Sequence, residues 1–294
     1  MEQTSPFQAD SRGLCTLTDG NAGNVRQAQS LARALGGQAR ETVQVAMPEA
    51  GYDDWYAERR KTFGKYFKDK ERARRSLEAE LGPIRVERGL RDPALLDHLI
   101  ALKAAQYRRS GLHDIFVCGW TRDLLHALMS EPREGFGASM AAMYAGDKLV
   151  AIEFSLHAGR HYHFWFPAYV PALARCSPGI LLSMETIRLG SEQGFRDFDY
   201  GFGGEAYKRY FCDTVQPVVE ATILRPGLSA ALGQAGASLL SLAGADRGRR
   251  IGQSVRRRWN AIEACEVTPS GRLRGAAHAA GAALSKVASR GKIS

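Results

Sequence analysis

A few stretches of the 294-residue chain carry side chains whose type and spacing suit chemistry. Ser177-Pro178-Gly179 opens a run of apolar residues at helical spacing, with proline at the first helical position and Gly194 as the stop. The first turn of such a helix presents free N–H groups and the positive end of the helix dipole, which suits a phosphate group. Pro178 has no N–H, so Gly179, Ile180 and Leu181 are the expected donors, with Ser177 at the cap and Arg175 adding charge. Gly179 has no side chain to obstruct the approach. Glu153 stands mid-strand in the apolar run LVAIEFSLHA, where burial raises a carboxyl pKa toward the range of a general base. Asp199 in FRDFDYG is a second candidate base and His163 in HYHFWFPAY a third. Three of these have plainer alternatives: an ordinary helix start, an Asp199 that fixes the Gly203-Gly204 loop, and a His163 that lies on a surface or pocket wall.

These residues need elements to position them. Residues 14–18 read as a strand entering a turn, followed by a helix capped by Asn24 and stopped by Gly36-Gly37. A basic helix over 53–81 has an apolar stripe at Phe63, Phe67, Ala73, Leu77 and Leu81, and Gly82-Pro83 ends it. From residue 84 the expected order is a strand (84–88), helices (91–109, 121–129) and three strands (138–145, 149–158, 161–169). A helix (178–193), a strand (195–201), a short helix (205–211) and a strand (218–224) complete it. The fold class is therefore α+β: a mixed, mostly antiparallel sheet flanked by helices, with a helical basic C-terminal extension. The expected domains are a strand–loop–helix unit at 1–44, a basic lead-in at 45–83, a main domain at 84–225 and a tail at 226–294.

Composition narrows the class of protein. No stretch approaches the ~20 apolar residues that span a bilayer, and the first residues lack an apolar core of signal-peptide length. The cysteines, Cys15, Cys118, Cys176, Cys212 and Cys265, are five in number and scattered, so free thiols are expected rather than a disulfide framework or zinc site. His161 and His163 alternate on one strand face with no third ligand nearby, and no metal is expected. The net charge of +9 resides in the tail, where 12 Lys/Arg face 3 Asp/Glu from Arg225 onward; the rest balances at 28 of each sign. The tail reads either as a solvated extension or as an amphipathic surface for anionic lipid. No nucleic-acid motif accompanies its charge.

The element order from residue 84, together with the run 175–211, resembles the GNAT fold of acetyl-CoA-dependent acetyltransferases. The resemblance is to the domain of CelD-type cellulose-biosynthesis proteins, relatives of the Fem-type aminoacyl transferases, and covers about residues 45–224. It is carried by Ser177-Pro178-Gly179, by Gly194 to Gly201 with Asp199, and by Gly204-Glu205-Ala206-Tyr207-Lys208. The Arg/Lys-rich helix at 59–75 matches the lead-in of the same group. The chain departs from the usual GNAT diphosphate loop, Gln/Arg-x-x-Gly-x-Gly/Ala, at that position. Separately, residues 14–36 resemble the start of mitochondrial-fission-ELM-type proteins.

The resemblance implies an acyl-CoA-dependent N- or O-acyltransferase with acetyl-CoA as donor, acting on a small or saccharide acceptor in polysaccharide or envelope biosynthesis. It implies Tyr207 as the acid facing the thioester sulfur, although a tyrosine there also serves to pack its helix. His163, Trp165 and Lys208 are the expected acceptor contacts. Two alternatives stay open: aminoacyl transfer from charged tRNA, and a degenerate scaffold that binds a partner or membrane. The expected location is the cytoplasm, with peripheral contact at the inner membrane face.

Overall fold

Segments rich in β-branched, aromatic and small apolar residues assemble into one seven-stranded mixed sheet. The structure is a computed structural model that describes residues 38–110, 114–130, 135–202 and 205–220, with 262, 266, 268 and 270–277. Its strands are β1 (Gln38–Ala46), β2 (Ile84–Leu90), β3 (Phe136–Ala145), β4 (Lys148–Ala158), β5 (His161–Tyr169), β6 (Asp197–Phe202) and β7 (Thr214–Glu220). They lie in the order β2-β3-β4-β5-β6-β1-β7. β5 and β6 pair parallel; the other neighbours pair antiparallel.

The helices are α1 (Tyr52–Thr62), α2 (Gly64–Leu81), α3 (Pro93–Ser110), α4 (Gly119–Ser130), α5 (Pro178–Glu192) and α6 (Lys208–Phe211). A parallel pair requires a crossover, and α5 supplies it between β5 and β6. One core joins Trp55 of α1, Phe67 of α2, Ile187 of α5 and Phe211 of α6 to Val45, Tyr162, Phe164, Phe198 and Tyr200 of the sheet. Full burial of a side chain such as Phe67 contributes about 1.5–3 kcal/mol. Close approach of α5 to β6 depends on Gly190, where an added Cβ would stand 2.8 Å from the Phe198 ring.

Residue contacts divide the described chain into two units, one holding 38–103 and 122–220, the other 104–121 and 270–277. In the second, the Asp114 carboxylate accepts from Phe116 N–H at the 3-10 turn Ile115–Val117, and Thr121 Oγ1 donates to the Ile115 carbonyl. The first holds the sheet and every candidate site residue.

Several expectations change. The lead-in is two helices, broken at Phe63 (φ −122°, ψ 40°), whose ring packs edge-on against Tyr210. Its apolar faces belong to the main core, and β1 completes the sheet between β6 and β7, so the sheet-bearing unit reaches back to residue 38. β7 begins four residues before the expected strand. Asp213 fixes that start by accepting from Ala46 N–H and donating its own N–H to the Gln44 carbonyl. Cys118 is disulfide-bonded, which corrects the free-thiol expectation at that position; Cys176 and Cys212 are free. The unit read at 14–36 lies outside the described residues. So does the tail, apart from a helix at 270–277 and residues 262, 266 and 268.

Candidate active site

The ladder between β5 and β6 consists of His161↔Asp197, Tyr162↔Phe198 and His163↔Asp199. Both strands continue, β5 to Tyr169 and β6 to Phe202, beyond the last of these pairs. The carboxyl ends of a parallel pair at such a parting are where α/β folds bind ligands. A bulge at Trp165 shapes one wall: Phe154 opposes Phe166 while Ser155 opposes Phe164, leaving Trp165 as the extra residue. Past the bulge the alternation is reset. Tyr169 therefore lies on the α5 side, with its ring 3.4 Å from where a Cβ on Gly179 would stand.

α5 begins at the end of β5. Ser177 adopts a left-handed conformation (φ 50°, ψ 44°), which is uncommon outside glycine and lets the 3-10 turn Pro171–Cys176 swing directly into the helix. The expected trio of donors is reduced, because Ile180 and Leu181 N–H both donate to the Ser177 carbonyl at 3.0 and 3.1 Å. Gly179 N–H alone of the three lacks an acceptor among the described residues. Arg175 is engaged with Glu80 of α2. The cation at this helix start is instead Lys70 of α2, whose Nζ donates to Ser177 Oγ at 2.8 Å and lies 5.0 Å from the centre of the Tyr66 ring. Sequence reading missed Lys70 because nothing distinguishes it from its basic neighbours on the same helix.

His163 and Asp199 meet across the last rung of the β5–β6 ladder, with His163 Nδ1 2.9 Å from Asp199 Oδ2. The other carboxylate oxygen accepts from Gly201 N–H at 2.7 Å, and Gly201 holds the positive φ of 70° that this turn needs. Tyr162, Phe164, Phe198 and Tyr200 point to the α5 side, where the Tyr200 hydroxyl bonds Ser183 of α5. By strand alternation His163, Trp165 and Asp199 point to the opposite face. Two rungs earlier, His161 Nδ1 lies 3.1 Å from Asp197 Oδ2, which Arg160 also holds.

Tyr207 packs on the α5 side, against Tyr200 and Phe211. Burial, followed by Glu205, Cys212 and Glu153, pushes its hydroxyl up to about 12. It therefore keeps its proton at neutral pH, and it has no hydrogen-bond partner among the described residues. Lys208 is corrected from an acceptor contact to a strut. It is 7% exposed, and its ammonium donates to the carbonyls of Tyr200 and Phe202 and pairs with Glu205, which uses its three donors.

Glu153 is 1% exposed, accepts from the Tyr162 hydroxyl at 3.4 Å and lies beside Thr186 of α5. Burial pushes its carboxyl up to about 7, against the pull of Thr186, Arg88 and Tyr162. Ser177, Gly179 and Tyr207 thus lie on the α5 side, and His163, Asp199 and Trp165 on the other. Glu153 is sealed beneath α5. The Cys212 thiol is pushed up to about 12 by burial and carries no thiolate for covalent catalysis.

Residues 64–209 match the family described as Acetyltransferase (GNAT) domain. That match and the mixed seven-stranded sheet flanked by helices support a GNAT-type domain, a class of acyltransferases that generally use acyl-CoA. Two solved structures are similar at low identity. A conserved protein of unknown function from Bacteroides thetaiotaomicron shares 13% identity at a TM-score of 0.42, over 68% of this chain and 67% of that one. The C-terminal domain (DUF2156) of a protein named as a lysylphosphatidylglycerol synthetase, from Agrobacterium fabrum, shares 14% at 0.43, over 72% and 68%. No curated protein matches the chain. Among the described residues, no His/Cys/Asp/Glu group is placed to hold a metal, and no helix is long and apolar enough to cross a membrane.

Proposed function

We propose that this protein transfers an acyl group, acetyl in the first instance, from an acyl-CoA thioester to an amine or hydroxyl of a small or saccharide acceptor. The observation that carries this is the parting of β5 and β6 beyond His163↔Asp199, with the start of α5 at the end of β5. The groups present fit the donor. Gly179 N–H and Lys70 Nζ offer hydrogen bonds and charge to a diphosphate. Tyr207 retains the proton that a departing thiolate requires.

The CelD-like resemblance of 175–211 favours a saccharide or envelope precursor as acceptor. The alternative of transfer from charged tRNA leaned on the basic lead-in, and much of that charge is spent within the chain. Arg59 pairs with Asp213, Arg60 with Glu71, Arg72 with Asp69, and Arg74 with Glu78 and Glu185. Thiol release from acetyl-CoA over a panel of amino sugars tests the proposal. Failure to bind acetyl-CoA, together with binding of tRNA, would replace it with the aminoacyl reading. Contact of the basic tail with anionic lipid is part of the same proposal, and loss of liposome co-sedimentation on removing residues 228–294 is its expected signature.

A further inference from the structure

We infer that His163, oriented by Asp199, is the base that deprotonates the acceptor, and that the acceptor reaches the opening from the sheet face opposite α5. The inference rests on the acyltransferase reading above. Asp199 is fixed at both oxygens, by Gly201 N–H on one and by the His163 ring on the other. An ionised carboxylate only accepts hydrogen bonds, so the neutral ring carries its hydrogen on Nδ1 and keeps the lone pair on Nε2. This is the arrangement of a base held by a third group.

Position separates this pair from its competitors. His163 belongs to the last rung before the strands part, and its side chain is 22% exposed. Glu153, at 1% exposed and bonded to Tyr162, has no path to an incoming group. His161–Asp197 has similar contacts, and its side chain is 30% exposed, but it sits at the first rung, at the end of the ladder away from the parting. Trp165 rises beside His163 on the same face, a partly exposed wall against which a sugar ring can lie.

The proton balance follows from the two faces. As the acceptor nitrogen or oxygen bonds to the thioester carbonyl carbon, His163 Nε2 takes its proton. The carbon–sulfur bond breaks, and the sulfur takes the hydroxyl proton of Tyr207 from the α5 side. The net result is one proton moved from acceptor to thiol; His163 then releases a proton to solvent and Tyr207 regains one.

Wild type, His163→Gln, Asp199→Asn and His161→Gln are compared for acetyl-CoA affinity by calorimetry and for thiol release with glucosamine as acceptor. His163→Gln is expected to bind acetyl-CoA as wild type does and to lose about 100-fold or more in rate. Asp199→Asn is expected to fall by about tenfold or more, because the tautomer is no longer fixed. His161→Gln is expected to stay within about twofold. Added imidazole is expected to restore part of the rate to His163→Gly, a response that a merely structural histidine would not give. A His163→Gln protein that keeps its rate overturns the inference, as does a wild type that binds acetyl-CoA yet releases no thiol to glucosamine. A wild type that does not bind acetyl-CoA removes the acyltransferase reading itself.

Discussion

Lys208 shows how a side chain can shape a site without touching a substrate. A lysine ammonium is ordinarily solvated, yet here it is buried and caps two carbonyls at the end of β6. Lys208→Met keeps the length and removes the donors, leaving those carbonyls without that bond. Its expected cost is about 1–3 kcal/mol in urea denaturation. Glu153 makes a different prediction. Its pKa in the folded chain, about 7, lies above the ordinary carboxyl value of 4.5, so folding favours the neutral acid. The stability it contributes is complete below about 4.5 and is lost as pH rises through about 7. Glu153→Gln is therefore expected to flatten the pH dependence and to exceed wild type in urea midpoint at pH values above 7, while matching it more closely in acid. The charged groups that face this carboxyl are few: Arg88 on β2 pulls it down, and His157 on β4, itself lowered by burial, Arg91 and Arg88, stacks on the intervening Tyr162.

Among the elements, α5 is central, since it connects the parallel strands, covers the core and starts beside the end of β5. Its seat on β6 is set by Gly190, where a methyl group would meet the Phe198 ring at 2.8 Å and Arg88 Nη2 at 3.3 Å. Helix propensity alone predicts that Gly190→Ala stabilises by about 0.5–1 kcal/mol. Packing predicts the reverse. Phe198 is fully buried and has no room to yield, so a loss of about 1–3 kcal/mol is expected in thermal denaturation. The bulge at Trp165 matters at the same scale: by absorbing one residue it turns Tyr169 toward α5 while leaving His163 and Trp165 on the opposite face.

For the whole molecule, the decisive feature is a strand that arrives before the lead-in helices. β1 pairs with β6 on one side and β7 on the other, and so satisfies backbone groups of the strand that carries Asp199. A chain beginning at Pro83 lacks β1, Trp55, Phe67 and Leu77, and is expected to show no cooperative thermal transition. A chain beginning at residue 38 is expected to melt as a folded protein. The sequence by itself determined most of the elements, because helical and alternating periodicities are local and Gly82, Gly146, Gly159 and Gly194 punctuate them at positive φ. It also determined the GNAT order from residue 84, and it placed Asp199 and His163 among the groups worth attention. Only the tertiary structure decided that those two form a pair, since thirty-six residues separate them and parallel pairing alone aligns their strands. Burial is likewise a property of the assembled chain. It turned Glu153 from the first choice of base into a sealed core acid, withdrew Lys208 to a strut, and raised Lys70 from one cation among many to the partner of Ser177, because each outcome depends on which distant element comes to lie over the side chain.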